Sequence, residues 1–104
     1  MRYGVTFFAT DETMRIDEVA RALEERGLDA LWVGEHTHIP VSRQTPFSGG
    51  ELPMHYSRWL DPFVALTAAA MATSTLRLCT GILLVSQHDP IITAKAVADR
   101  KSVV

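Results

Sequence analysis

The chain has 104 residues, with 47% hydrophobic and 21% charged residues and a net charge of −2, the composition of one small globular domain. Charges of both signs are interspersed, so nothing points to a basic nucleic-acid surface or a membrane-binding patch. No apolar run approaches the roughly 18 residues of a membrane span, and Met1-Arg2-Tyr3-Gly4 does not open a signal sequence. Cys79 is the single cysteine, so an internal disulfide and a multi-thiolate metal centre are excluded; a reducing, cytoplasmic setting is expected.

Tyr3-Gly4-Val5-Thr6-Phe7-Phe8-Ala9 is short and rich in β-formers, which predicts a strand buried on both faces. From about Arg15 to Arg26 the apolar residues Ile16, Val19, Ala20 and Leu23 recur at helical spacing. Asp17, Glu18, Arg21, Glu24 and Glu25 then face water, and Gly27 supplies a left-handed helix end. Ala30 to Gly34 is a second buried strand, parallel to the first in a βαβ unit. Between Glu35 and Leu60 the periodicity disappears. Three prolines, two glycines, three of the four histidines, Tyr56 and Trp59 fall in this stretch, which reads as a functional loop with anchoring aromatics. Asp61-Pro62 is a cap followed by proline at the first helical position, and the alanine-rich helix it starts ends near Ser74. Leu76 to Leu84 is the third strand. Gln87-His88-Asp89-Pro90 repeats the cap signal and opens a third helix carrying Ile91, Ile92, Lys95 and Val97.

The order βαβαβα means a parallel sheet covered by helices, either doubly wound or a (β/α) barrel. No Gly-rich turn follows the first strand and there is no P-loop, which favours the barrel over a nucleotide-binding half. A complete barrel takes about 250 residues. The expected fold is therefore α/β, a partial TIM (β/α)8 barrel comprising its first three β/α units.

In either architecture active sites gather at the C-terminal ends of strands. Three clusters meet there: Phe7-Phe8-Ala9, Glu35-His36-Thr37-His38, and Thr80-Gly81-Ile82 with the loop to His88. Imidazole passes protons near neutral pH, which makes His36 the candidate catalytic residue. Adjacent strand residues point oppositely, so Glu35 need not touch it; a capping or ion-pairing Glu35 beside a polar loop His36 is the alternative. His36 and His38 form an H-x-H pair without a third ligand, and no metal site is predicted. His55 and His88 read as surface residues, with His88 able to line the cavity mouth. Gly81 within an apolar strand leaves room for a planar ring against the backbone, or answers a packing constraint. Cys79 reads as a small buried apolar residue.

These residues resemble the luciferase-like monooxygenase superfamily. Tyr3-Gly4-Val5, the run from Ala20 to Val33 and Glu35-His36 are its general features. The stretch from Glu35-His36-Thr37-His38-Ile39-Pro40 through Gly49-Gly50-Glu51-Leu52-Pro53 to Asp61-Pro62-Phe63 looks like the branch that uses the deazaflavin coenzyme F420, as do Leu76 to Ile82 and Asp89-Pro90-Ile91. The resemblance implies a barrel with the coenzyme ring at its C-terminal mouth, contacted by Glu35, His36, Thr80, Gly81 and Ile82. His36 would donate or accept the proton or orient the ring, and a cis Gly81–Ile82 peptide would back it. His38 and Trp59 are placed, by position, in the wall of the substrate cavity. The implied chemistry is hydride transfer between F420 and a small organic substrate. An FMN-dependent monooxygenase fed by a separate reductase is the alternative, and a non-catalytic assembly fragment is the reading from another class. The parent enzyme is expected to be a homodimer. Residues 1–98 follow the family, whereas 99–104 depart from it and are expected to be a non-native tail. Barrel phosphate sites come from later units, so the 104 residues alone are expected neither to bind coenzyme tightly nor to turn over.

Overall fold

Each of the three apolar runs becomes a four-residue strand in the computed structural model, which describes residues 1–103 and their side chains as far as Asp99. Strands β1 (Gly4–Phe7), β2 (Ala30–Val33) and β3 (Arg77–Thr80) pair in parallel in the order β1-β2-β3. Gly4, Ala30 and Arg77 are in register at one end, and Phe7, Val33 and Thr80 at the other. Helices α1 (Ile16–Glu25) and α2 (Pro62–Met71) make the two crossovers, and α3 (Pro90–Val103) follows β3. The C-terminal ends of all three strands therefore open on one side.

Strand residues alternate between the two faces of this sheet. Leu31 and Val33 of β2, with Leu78 of β3, lie under the helices at 0%, 3% and 9% exposure. Ile16, Val19 and Ala20 of α1 and Ala65, Leu66, Ala69 and Ala70 of α2 complete the core. The alanines matter here: with only a Cβ between backbone and sheet, the helix lies close enough to bury Leu31 and Leu66 almost completely. The opposite face carries Gly4, Thr6, Trp32 and Cys79, with Trp32 substantially exposed. For this reason β1 is not buried on both faces as its composition predicts. Val5 and Phe7 are half-buried, while Gly4 and Thr6 are exposed on a face that no described residues cover.

The helix ends follow their local signals. Asp61 Oδ1 accepts the N–H groups of Phe63 and Val64 at 2.9 and 3.0 Å, and Asp89 Oδ1 those of Ile91 and Ile92, each at 2.9 Å. Gly27 has φ of +72°, its N–H donates to Glu24 O, and Leu28 N–H donates to Leu23 O, the paired bonds of a Schellman end.

Three expectations are corrected. The third strand stops at Thr80 rather than Leu84, because β2 ends at Val33; Gly81 N–H makes a last bond to Val33 O at 2.6 Å and the chain turns away. Gly81–Ile82 is trans, as are all described peptides, the form that avoids the ~3–4 kcal/mol of a non-prolyl cis bond. Glu24 is partly exposed, but its carboxylate is not free in solvent. Its carboxylate reaches across to accept backbone N–H groups of Ser74, Thr75 and Leu76 and the Thr75 hydroxyl, which also helps to explain why α2 ends at Met71 before the segment leading into β3. Helix α3 runs through the start of the expected tail, with Lys95 Nζ 2.8 Å from Asp99 Oδ1, whereas the side chains of residues 100–104 lie outside the described residues. Among the described residues no helix is long and apolar enough to cross a membrane.

Backbone donors, with that of Thr75 foremost, hold the Glu24 carboxyl down to about 2. A carboxyl lowered on folding adds stability that is fully present above its unfolded value of about 4.3 and is lost as pH falls through the folded value. Glu24→Gln is therefore expected to lower stability at neutral pH and to flatten its decline between about pH 5 and about pH 2. Denaturant unfolding followed by circular dichroism checks this; parallel pH profiles for the two proteins would contradict it.

Candidate active site

Segments 8–15, 34–61 and 81–89 leave the C-terminal ends of β1, β2 and β3 and share one rim. The long middle segment folds back onto the first. Leu60 N–H donates to Ala9 O at 3.0 Å, and Thr10 and Trp59 form an isolated antiparallel bridge. Arg58 grips Asp11, with its Nε 2.8 Å from Oδ1, and Glu12 lies 3.4 Å away. The hydrogen bond from Arg58 holds the Asp11 carboxyl below the usual carboxylate range.

These ties carry Trp59 over the end of β2. Phe8 stacks on it at 5.0 Å and 28°, and Tyr56 at 5.3 Å and 21°. Gly34 makes room for the indole: a Cβ there would lie 2.5 Å from Trp59 Cζ3. His36 is half-buried and perpendicular to both Trp59, at 4.8 Å and 88°, and Tyr56, at 5.0 Å and 85°. Such edge-to-face contacts fix a ring without consuming its polar atoms. No hydrogen bond from the described residues reaches a ring nitrogen of His36. The indole Nε1 of Trp59 is buried and likewise without a hydrogen-bond partner among them.

Glu35 turns the other way. It is 2% exposed; Oε2 accepts Leu84 N–H at 2.7 Å, and Oε1 lies 2.6 Å from His88 Nε2. Glu35 thus makes its polar contacts with the segment after β3 and not with His36. His88, read as a surface residue, is its partner and stands edge-on to Phe63 at 6.0 Å. The available signal was chemical: a carboxylate at the end of a buried strand needs a partner, and the histidine lay in the adjoining strand's loop.

The other predicted residues divide between the two sides of the sheet. Gly81 and the 59%-exposed Ile82 follow β3 directly beside the end of β2, at the same rim as His36. Thr80 shares the helix-covered face with Leu78 and, with Phe63, Leu66, Leu83 and Val97, lines a cavity of about 300 Å³ under α2 and α3. His38 is exposed, its Nδ1 2.7 Å from Thr37 Oγ1, which also donates to Gln87 Oε1 at 2.8 Å. His36 and Trp59 are brought together, and with Glu35, Thr37, Asp61 and Pro62 they bound a hollow of about 270 Å³. Among the described residues no three His, Cys, Asp or Glu side chains cluster as metal ligands.

With this geometry established, a family model described as luciferase-like monooxygenase matches residues 3–101. The chain belongs to the luciferase-like monooxygenase family. Within this family's range of relatives, an uncharacterised protein of Mycobacterium tuberculosis is 44% identical over 102 residues, covering 94% of this chain and 36% of that protein. A Mycobacterium bovis protein has the same identity and coverage. A 5,10-methylenetetrahydromethanopterin reductase of Methanolobus tindarius is 25% identical over 97 residues, covering 93% of this chain and 24% of the reductase. This luciferase-like chain therefore spans about a third of the length of the curated relatives it matches at 44% identity.

Gly34→Ala is expected to push Trp59 off the strand end and to cost about 1–3 kcal/mol, as overpacking does. In a Trp32→Phe background, the Trp59 emission should shift to the red and its near-ultraviolet dichroism weaken. An unchanged spectrum would mean that Trp59 does not rest on Gly34.

Proposed function

We propose that this chain forms the first three units of a (β/α)8 barrel whose rim holds the ring of coenzyme F420 for hydride transfer to or from a small organic substrate. The observation that carries the reading is His36: a half-buried imidazole at a strand end, held by aromatic edges and with its nitrogens unengaged. Family membership and the reductase relative support the same class of chemistry.

The residues present fit a planar ring. A Cβ at Gly81 would find only ordinary contacts, with Val33 O at 3.5 Å and Trp32 Cβ at 3.9 Å, so the backbone can be approached from the open face of the sheet. The buried Trp59 Nε1 is a donor awaiting an acceptor. Bound F420 would supply a ring carbon that gives or takes a hydride. His36 would hold or deliver the accompanying proton at the substrate atom that changes bond order, and Trp59 and Tyr56 would fix its direction. Ile82 would border the ring. Glu35 and Thr80 face away from that position and would support the strand ends from behind. The family's description as monooxygenase favours a second reading, in which FMN occupies the same rim.

Titration of the 104-residue chain with F420 and with FMN, followed by ligand fluorescence, separates these readings. The expectation is weak, saturable F420 binding at about 0.1–1 mM, roughly 4–5.5 kcal/mol. His36→Ala should weaken it about tenfold, the loss of one hydrogen bond of about 1.4 kcal/mol. Preference for FMN would transfer the site to the second reading, and binding of neither ring would remove the coenzyme from this rim.

A further inference from the structure

We propose that the buried Glu35–His88 pair aims His36, which makes Glu35 and His88 positioning residues of the rim. A group with 2% exposure is expensive to bury unless each oxygen is paired, and both oxygens of Glu35 are. Both partners, the Leu84 N–H and the His88 imidazole, belong to the one segment that follows β3. The pair thus latches the loop after β2 to the loop after β3, and the Thr37–Gln87 bond continues the latch two residues further on.

Direction follows from the backbone. Strand β2 ends at Val33, and the two residues that follow Gly34 take different partners. Glu35 is held toward Leu84 and His88, and the next side chain, His36, meets Trp59 and Tyr56 instead. The aromatic wall receives the imidazole, and the latch decides that it points there. The pair's purpose rests on the reading of His36 given above, but its geometry is testable without any coenzyme, so the two can fail separately.

The test uses the 104-residue chain with ring-labelled histidine and reads the His36 ring resonances, assigned by His36→Gln. In the parent chain the ring currents of Trp59 and Tyr56 displace them from the position of an exposed histidine such as His38. His88→Ala leaves one Glu35 oxygen without its partner and is expected to abolish most of that displacement while far-ultraviolet dichroism is retained. His88→Gln, whose side-chain amide can donate to the same oxygen, is expected to restore it. That rescue distinguishes aiming from general stabilisation. Should His88→Ala fail to fold, Glu35→Asp is read in its place: one methylene shorter, it reaches only one of the two partners and should lose part of the displacement. Undisplaced His36 resonances in the parent chain, unmoved resonances in a folded His88→Ala or Glu35→Asp chain, or no restoration by His88→Gln, would overturn the proposal.

Discussion

Parallel strands cannot be joined by a tight turn, so each step from one strand of this molecule to the next carries the chain over the sheet as a helix. Two such steps with the same hand put α1 and α2 on one face and leave the three C-terminal ends together. The strands are only four residues long, and their ladders are secured at both ends. At the N-terminal end Asp29 accepts Tyr3 N–H on its carboxylate at 2.7 Å, donates its own N–H to Tyr3 O and accepts Arg77 N–H on its carbonyl. At the other end Gly81 N–H closes on Val33. Between these ties lies a core of small and branched residues, in which Ala20, Leu31, Leu66 and Ala69 are almost wholly excluded from water.

Rim geometry inherits this arrangement and adds two different kinds of fastening. The Arg58–Asp11 pair is open to solvent, so its contribution is to register the middle segment against the first rather than to stabilise the fold. The Glu35 carboxylate is out of solvent, and leaving one of its oxygens unpartnered would be severe. An exposed tie can exchange with water; a buried one must stay made. The aromatic residues then fill the space that these ties define, with Trp59 lying over bare backbone at Gly34.

What the sequence made legible was local. Asp61-Pro62 and Asp89-Pro90 cap helices because their geometry is fixed within three residues, and Gly27 ends α1 for the same reason. The stripe Ile16, Val19 and Ala20, and the gathering of His36, Gly81 and Phe8 at one rim, follow from periodicity and parallel order. What escaped the reading depended on residues about fifty positions apart. Glu24 looked unpartnered because the donors it accepts from, at Ser74 to Leu76, are remote, and His88 looked superficial because Glu35 is 53 residues away. The length of β3 was set by where β2 ends, not by its own apolar run. Thr80 fell on the helix side through strand parity, which a one-residue change of register would have reversed.

Strand ends converge at one rim, with the middle loop folded over them. Nuclear Overhauser contacts in the 104-residue chain test this most directly. Contacts between the Gly81 amide and Val33, together with contacts from the Trp59 indole to the α protons of Gly34, are the predicted result. An antiparallel pattern between the second and third strands, or a Trp59 with no contact to Gly34, would contradict it.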